Sequence, residues 1–239
     1  MIKKLFYSLF HYGPWQTFKS VYSALWKNNS FLNRFKLRFY IYLHNKSYSK
    51  ITSLARRLNN NSHPKHKIID YFSFFLSCVE KNDVILDVGC HEGYLSKIIA
   101  ARAREVVGID LNKKSLAIAK KENNLPNLSF VFGDAVSFEF NRQFNKIVLS
   151  NVLEHLENRV DFLKKLGRLS DTIILRVPLL TRDWLAVYKK ENGFEYRLDP
   201  THRIEYTLEG LKKELDESGW KIENFIVNFG EFLGVLSKK

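Results

Sequence analysis

Residues 83–100 read DVILDVGCHEGYLSKIIA and place an apolar run, two glycines and the start of a helix next to one another. The run ends at Asp87, the chain turns through Gly89 and Gly93, and a helical apolar pattern follows. A glycine-rich turn between a strand and a helix is where doubly wound α/β folds bind nucleotides, because the backbone can approach the ligand there. The spacing here is Asp87-x-Gly89-x-x-x-Gly93, whereas the dinucleotide fingerprint is G-x-G-x-x-G. Acidic groups before and inside the turn repel a pyrophosphate and suit a ligand with a cationic amine.

Strand-like and helix-like segments alternate from residue 84 onward. Short, nearly continuous apolar runs separated by amphipathic helices are typical of a parallel sheet covered on both faces. The predicted strands are 84–88, 106–110, 129–132, 146–150 and 172–177, and the predicted helices are 94–103, 112–122, 157–169 and 207–219. Two closing strands, 221–229 and 231–239, are predicted to form an antiparallel hairpin. The predicted fold class is therefore α/β, with a doubly wound, mostly parallel, seven-stranded Rossmann-like sheet that ends in this hairpin.

The pattern upstream of the sheet is helical. Residues 66–81 place five apolar side chains on one helical face, which predicts a helix packed on the sheet. Two further aromatic stripes precede it, and the polar segment 53–66 separates them from the sheet. The stripes consist of Trp15, Phe18, Tyr22, Leu25 and Trp26, and of Phe31, Phe35, Phe39 and Tyr42. We therefore expect a helical extension over 1–65 and a domain over 66–239.

The formal net charge of +13 belongs wholly to residues 1–69. Residues 1–69 carry 13 of the 38 lysines and arginines and no acidic residue, so residues 70–239 hold 25 basic and 25 acidic side chains. Fourteen aromatic residues fall within the first 48. Such a segment suits an anionic membrane surface, a nucleic-acid surface, or a helical cap over the active site whose lysines are merely solvated. The membrane role fits a lipid-linked substrate.

The sequence favours a cytoplasmic location. Cys78 and Cys90 lack CxxC or metal-ligand spacing, which indicates a reducing compartment. His11, Gly13 and Pro14 interrupt the opening MIKKLFYSLF before a secretory signal is complete. The sequence contains no run of about 18 apolar residues, so no transmembrane helix is predicted. We expect a cytoplasmic protein that is peripheral on the inner membrane surface if the extension docks on lipid.

Four short motifs carry a family resemblance. They are DVGCHEG at 87–93, the acid that ends VVGID at 106–110, GDAV at 133–136 and SNVLEHL at 150–156. In this order, at the ends of successive strands, they resemble the motifs of class I S-adenosylmethionine-dependent methyltransferases, in particular the group that acts on small molecules and glycans. His91 stands where that family commonly has glycine. The resemblance covers about residues 66–239.

The resemblance implies S-adenosylmethionine as the cofactor and a set of residues that hold it. Asp87, or a carbonyl near Gly89, would take the ammonium group, and the helix start at Gly93 the carboxylate. Asp110 would accept hydrogen bonds from the ribose diol, and Asp134 would lie at the adenine. The implied set is Asp87, Gly89, Cys90, Gly93, Asp110, Leu111, Asp134, Ala135 and Asn151, with buried packing the favoured role of Cys90.

Two histidines are candidate catalytic residues. Methyl transfer from a sulfonium is an in-line displacement in which the protein mainly aligns the acceptor and excludes water. An oxygen acceptor usually also needs a general base. His155 follows the fourth strand, and His202 lies in the long connection after the fifth. The alternative for His155 is a structural role, as a helix cap or in the lining of the cofactor pocket.

The connection from 177 to 206 mixes aromatic, basic and acidic side chains, which suits a polyhydroxylated acceptor. The substrate-binding residues predicted from it are Arg182, Tyr188, Arg197, Asp199 and Arg203. No cluster of acids suited to a metal ion is evident, so no metal site is predicted. The chain lacks the N/D-P-P-Y/F motif of DNA amino-methylases and the late cysteine of RNA cytosine-5 methylases, so a nucleic acid is not the expected partner.

The activity predicted from these patterns is O-methylation of a saccharide or a lipid-linked glycan, with a histidine as general base. Two alternatives stay open: O-methylation of a quinone-type or other small molecule, and a non-catalytic, cofactor-binding scaffold that docks at membranes. A nicotinamide oxidoreductase is disfavoured by Asp87 and by the missing third glycine.

Overall fold

The structure is a computed structural model that describes residues 30–60 and 62–239. The chain divides into two compact units, Met1–Pro64 and Lys65–Lys239. The described part of the first unit is one long helix, α1 (Ser30–Leu58), which contains the predicted stripe that begins at Phe31. The stripe that begins at Trp15 lies outside the described residues. None of the helices within the described ranges has the length and apolar character needed to cross a membrane.

The second unit alternates strands and helices in the predicted way. Its elements are α2 (Lys65–Ile69), α3 (Tyr71–Ser77), β1 (Val84–Val88), α4 (Tyr94–Ala100), β2 (Glu105–Asp110), α5 (Lys113–Glu122), β3 (Leu128–Phe132), β4 (Lys146–Ser150), α6 (Arg159–Leu166), β5 (Thr172–Pro178), α7 (Trp184–Glu191), α8 (Leu208–Glu217), β6 (Trp220–Asn228) and β7 (Glu231–Lys238). Two 3-10 turns, Leu153–His155 and Leu180–Arg182, follow β4 and β5.

The seven strands form one sheet in the order β3-β2-β1-β4-β5-β7-β6. The first five strands of the chain are parallel, whereas β7 runs antiparallel to both β5 and β6. The predicted mostly parallel sheet with a terminal antiparallel hairpin is therefore confirmed. The strand order reverses between β1 and β4, and a doubly wound sheet binds its ligands in the crevice at the carboxyl ends of such strands.

Apolar side chains fill both faces of the sheet. All five residues of β1 are buried. Alternate residues of β1, β4 and β5 belong to two separate clusters, as the two-residue period of a strand requires. Side chains of α6 and α8, with Trp220, complete one cluster, and side chains of α3 and α4 complete the other. The sheet is therefore a rigid, doubly covered platform for the loops at its carboxyl edge.

The helix predicted over 66–81 is two helices, α2 and α3. Asp70 interrupts it with a left-handed backbone, φ 50°. The Asp70 carboxylate accepts a hydrogen bond from Ser73 Oγ at 2.9 Å, and a short polar side chain that bonds locally competes with continuation of a helix. The second helix then ends at Ser77. Phe75 and Val79 of the predicted apolar face are buried, but Ile68 is 60% exposed and Ile69 is buried instead, because the break at Asp70 was not predicted.

Candidate active site

The turn after β1 brings bare backbone into the crevice. Gly89 and Gly93 have φ values of +71° and +74°. A Cβ atom at Gly89 would lie 2.7 Å from Val152 Cγ2, and one at Gly93 would lie 2.5 Å from Phe130 Cζ. Both positions therefore exclude a side chain by contact as well as by backbone conformation. His91, between them, also has a positive φ of 50°.

Asp87 is buried at the end of β1, with 2% of its surface exposed. Its Oδ2 accepts a hydrogen bond of 2.5 Å from Ser96 Oγ, in the first turn of α4. Burial raises the pKa of Asp87 to about 7, which the Ser96 hydrogen bond opposes and the charge of Asp110 reinforces. This carboxyl group thus holds β1 to α4 beneath the glycine turn. Its place under the turn fits the predicted role of taking an ammonium group.

Asp110 joins the two loops that follow β1 and β2. Its Oδ2 accepts the His91 N–H at 2.8 Å, and its Oδ1 accepts the Asn112 N–H at 2.7 Å. Each carboxylate oxygen has a second lone pair, so the group can still accept two hydrogen bonds. That is the requirement for a ribose diol. The neighbouring Leu111 is 65% exposed beside it.

Asp134 and Ala135 begin the turn after β3. The Asp134 side chain accepts the Val136 N–H at 2.9 Å, and its carbonyl accepts the Phe138 N–H at 2.6 Å. The Gly133 N–H reaches the Asp110 carbonyl at 3.1 Å, so this turn adjoins the loop after β2. The predicted adenine and ribose contacts therefore lie on neighbouring loops.

Asn151, directly after β4, has φ 57°, and its N–H is held by the Arg176 carbonyl at 2.9 Å. Its Oδ1 is buried and has no hydrogen-bond partner among the described residues. An unpaired buried oxygen is costly and calls for a donor from outside the chain. With the two glycines and Asp110, this orphan acceptor fits the donor-rich S-adenosylmethionine.

Cys90 packs inside the domain. It is 7% exposed, and burial raises the pKa of its thiol above the ordinary value. A Cβ atom at Gly108 would lie 2.8 Å from its Sγ, so the thiol fills the space that this glycine leaves on β2.

The two candidate catalytic histidines meet, although 47 positions separate them in the sequence. The rings of His155 and His202 form an edge-to-face contact with centroids 4.7 Å apart. His155 ends the 3-10 turn after β4 and is exposed, whereas His202 is 4% exposed. Burial, and then the neighbouring His202, lower the pKa of His155.

Each imidazole is oriented through Nδ1. His155 Nδ1 lies 3.0 Å from Thr201 Oγ1, which donates its own proton to Asp199 Oδ1 at 2.7 Å. The threonine oxygen must therefore accept from His155 Nδ1–H. His202 Nδ1 lies 2.9 Å from Glu205 Oε1, an acceptor-only group when ionised. In the neutral form of each ring, this arrangement places the lone pair on Nε2.

Glu205 is itself held firmly. Its oxygens accept the Leu198 N–H at 2.6 Å and Arg182 Nη1 at 2.6 Å. Burial raises the pKa of Glu205, but hydrogen bonds from His202 and Leu198 and the charge of Arg182 outweigh it and hold the value below the ordinary one.

Three of the five predicted substrate-binding residues are used within the connection itself. Arg182 binds Glu205 and also the Tyr196 carbonyl at 2.6 Å. Arg197 pairs with Glu195 at 2.8 Å, and Asp199 accepts hydrogen bonds from Thr201. These three residues shape the connection, whatever contact they also make with a substrate.

The other two lie on helix α7 and next to His202. The Tyr188 ring is 6.1 Å from that of Trp184, whose side chain is 76% exposed. The Arg203 side chain is largely exposed, 3.5 Å from Glu157.

The prediction missed Glu154, Thr201 and Glu205. Each is a direct neighbour in sequence, or within three positions, of one of the two histidines. Their closeness in sequence to the candidate histidines was the signal from which they could have been predicted.

The comparisons with known proteins identify the kind of domain to which this part of the chain is similar. Residues 85–171 match the family model described as a methyltransferase domain. A probable ribosomal RNA small subunit methyltransferase A of Pyrococcus furiosus is 39% identical over 74 residues, 31% of this chain and 26% of that protein. A ubiquinone biosynthesis O-methyltransferase of Nitrosomonas europaea is 29% identical over 119 residues, 46% of this chain and 50% of that protein. The matches thus span half or less of these relatives.

A solved structure shares the fold. Magnesium protoporphyrin IX methyltransferase of Synechocystis, with SAH bound, has a TM-score of 0.59 at 18% identity, over 73% of this chain and 84% of that one. The glycine turn, the strand-end acids and the matched domain lie in the same part of the chain. Residues 85–171 thus lie in a methyltransferase domain with the class I S-adenosylmethionine-dependent fold, and this domain supports S-adenosylmethionine as the cofactor.

Proposed function

We propose that the protein transfers a methyl group to a hydroxyl oxygen at the pair formed by His155 and His202. The observation that carries the proposal is the orientation of the two rings: both Nδ1 atoms form hydrogen bonds, which in the neutral imidazoles leaves Nε2 to accept a proton. The pair lies at the carboxyl edge of the sheet. His155 follows Asn151, whose buried Oδ1 has no hydrogen-bond partner among the described residues, by four positions. S-adenosylmethionine, when bound, supplies the methyl group from its sulfonium.

His155 is the better placed of the two as general base. The chain Asp199–Thr201–His155 orients its ring, as a third group orients the base in a catalytic triad. Because the ring is exposed, a proton taken on Nε2 can pass to water. His202 is buried against Glu205, which suits a role in positioning.

The proposed acceptor is a saccharide or a lipid-linked glycan. The connection that carries His202 also presents an exposed indole at Trp184, with the Tyr188 ring beside it. Aromatic faces combined with charged side chains such as Arg203 are suited to a polyhydroxylated ring. In the first unit, α1 has no acidic residue and carries exposed aromatic side chains, among them Phe31 and Phe35. A basic aromatic helix suits an anionic membrane surface.

A phenol of the quinone type is the second candidate. It is supported by the likeness to ubiquinone biosynthesis O-methyltransferases, including one of Pelagibacter ubique, at 25% identity over 60% of this chain and 71% of that protein. A phenolic hydroxyl needs less help to lose its proton than a sugar hydroxyl. The likeness to ribosomal RNA methyltransferases keeps a nucleic acid among the outcomes of the test.

The test incubates the full chain with tritium-methyl S-adenosylmethionine and host extract, which is then separated by class of molecule. Label in the lipid or polysaccharide fraction supports the glycan proposal. Label in a phenolic small molecule favours the second candidate, and label in nucleic acid overturns both acceptors. No label, with cofactor binding intact, identifies a scaffold.

The variant that tests the proposed base is His155→Ala. Loss of a general base lowers the rate by roughly 10²–10⁴-fold. Cofactor affinity should change little, because the His155 side chain is hydrogen-bonded to Thr201, whereas Asp110 is held by the His91 N–H of the glycine turn. Transfer near the wild-type rate would contradict the assignment of the base.

A further inference from the structure

We propose that Glu154, His155 and His202 form a binding site for a divalent transition-metal ion. One ligand atom from each side chain lies within 4.8 Å of the other two. The donors are two imidazoles and one carboxylate, a set that suits zinc, manganese, iron, cobalt or nickel rather than magnesium, which prefers oxygen alone.

Glu154 is the independent sign of a missing ligand. It is completely buried, yet neither of its carboxylate oxygens has a hydrogen-bond partner in the described chain. A buried carboxylate is normally paired or bound to a metal ion. Arg176 and Lys65 are cations that act on Glu154 through space, and Arg176 Nε lies 3.2 Å from a carboxylate oxygen of Glu231, with which it forms an ion pair.

The hydrogen bonds of the two histidines also suit metal binding. Metal-binding imidazoles usually donate their second ring N–H to a carboxylate, a carbonyl or water, which fixes the tautomer. His202 donates Nδ1–H to Glu205, and His155 donates it to Thr201, itself bound to Asp199. Both rings therefore offer Nε2 as a ligand.

The site is open to solvent on the side of His155. Glu154 and His202 are buried, whereas His155 is exposed. Three protein ligands with an accessible side correspond to a catalytic site, in which water or substrate takes the remaining positions. We infer that the acceptor hydroxyl binds there.

This role rests on the proposed methyl transfer to a hydroxyl oxygen, but it replaces His155 as the base, because an imidazole that binds the ion through Nε2 no longer accepts a proton there. A cation lowers the pKa of a bound hydroxyl, so the O–H bond breaks and the proton passes to solvent water. The acceptor oxygen then forms its bond to the methyl carbon as the sulfur–carbon bond breaks. With an ion in place the two imidazoles are ligands, and neither accepts the proton.

The test measures metal binding without cofactor or acceptor, so it is independent of the proposed function. Full-length protein without a polyhistidine tag is stripped with EDTA, desalted and titrated with Co²⁺, whose absorption reports coordination. Competition with Zn²⁺ gives the affinity. We expect one ion per chain.

The variants are Glu154→Gln, which preserves shape, and His155→Ala, at an exposed position. Each should weaken Co²⁺ binding by more than about tenfold, the loss that removal of even an outer-shell partner causes. The control, His44→Ala in α1, should bind normally. Unchanged melting temperatures show that the variants are folded.

Absence of Co²⁺ absorption in the wild type, or binding by both site variants that equals the wild type, overturns the metal site. If methyl transfer persists in EDTA, the proposed function stands with His155 as base and the metal role is wrong. If the ion binds as expected but no acceptor is methylated, only the proposed function fails.

Discussion

The Arg203 N–H donates a hydrogen bond of 2.7 Å to the Glu154 carbonyl. This bond fastens the connection after β5 to the turn after β4, and it explains why two distant histidines become neighbours. The Leu179–Tyr206 bridge closes the same connection on itself. Backbone pairing within the protein therefore holds the connection in place. This pairing positions His155 and His202 without a bound ligand.

Gly89→Ala tests the close approach of backbone to cofactor. A left-handed residue with a Cβ costs about 1–2 kcal/mol, and overpacking against Val152 adds about 1–3 kcal/mol. Gly219→Ala is the matched control, because it has φ +84° and nothing within 4 Å of the added Cβ. We expect both variants to lose stability in urea unfolding, and Gly89→Ala to lose more. Calorimetry with S-adenosylhomocysteine should show weaker binding for Gly89→Ala alone, and equal affinities would refute the assignment.

Asp87 should make the unfolding free energy depend on pH. Its pKa of about 7 in the folded protein lies above the ordinary value. The folded state therefore holds a proton that the unfolded state releases between pH 4 and 7, and this contribution to stability is lost as the pH rises through 7. In Asp87→Asn, urea unfolding measured from pH 5 to pH 8 should show a smaller fall. Asp134→Asn, at an exposed carboxyl group of the same sheet edge, is the control; an Asp87→Asn profile that parallels the wild type would show that Asp87 is not the group responsible.

Arg182 and Arg197 were both predicted to bind substrate, but the structure gives them different surroundings. Arg182 is the cationic partner of the fully buried Glu205, so Arg182→Ala leaves that carboxylate uncompensated, a loss of about 3–5 kcal/mol. Arg197 is paired with Glu195 in solvent, and Arg197→Ala should change stability little. Thermal and urea unfolding of both variants compare them directly. Equal stabilities would mean that the buried network does not support the connection.

Most of the fold could be predicted, because strand runs such as 84–88 and 146–150 are buried on both faces and carry a clear apolar signal. The cofactor-side candidates followed from their positions at strand ends. The acceptor side could not be predicted in the same way. The contact of His155 with His202 depends on how a long connection folds back, and no periodicity in the sequence encodes that path.

The same limit applies to Arg182. A sequence shows that Arg182 lies near several polar groups, but only the fold shows that its guanidinium is consumed by Glu205 and the Tyr196 carbonyl. The proximity of Glu154, His155 and His202 could not be predicted for the same reason, since Glu154 and His202 are distant in the chain.

The basic helix α1 should bind anionic vesicles if the acceptor is lipid-linked. It carries seven cationic side chains without an acidic one: Arg34, Lys36, Arg38, Lys46, Lys50, Arg56 and Arg57. Each cation near an anionic surface contributes about 1 kcal/mol, so replacement of Arg34, Lys36 and Arg38 by Gln should weaken partitioning roughly a hundredfold. Co-sedimentation with phosphatidylserine vesicles at low and high salt measures this.

The control for vesicle binding replaces three exposed lysines of the second unit, Lys120, Lys121 and Lys213, by Gln. It removes the same charge from the whole protein, so a specific role of α1 predicts nearly wild-type binding for this control. Binding should also fall as salt is added, because a Debye length of about 10 Å at 0.1 M screens charges at the surface. Failure of the wild type to sediment with anionic vesicles at low salt would remove the membrane role of α1 and leave a soluble acceptor as the one to pursue.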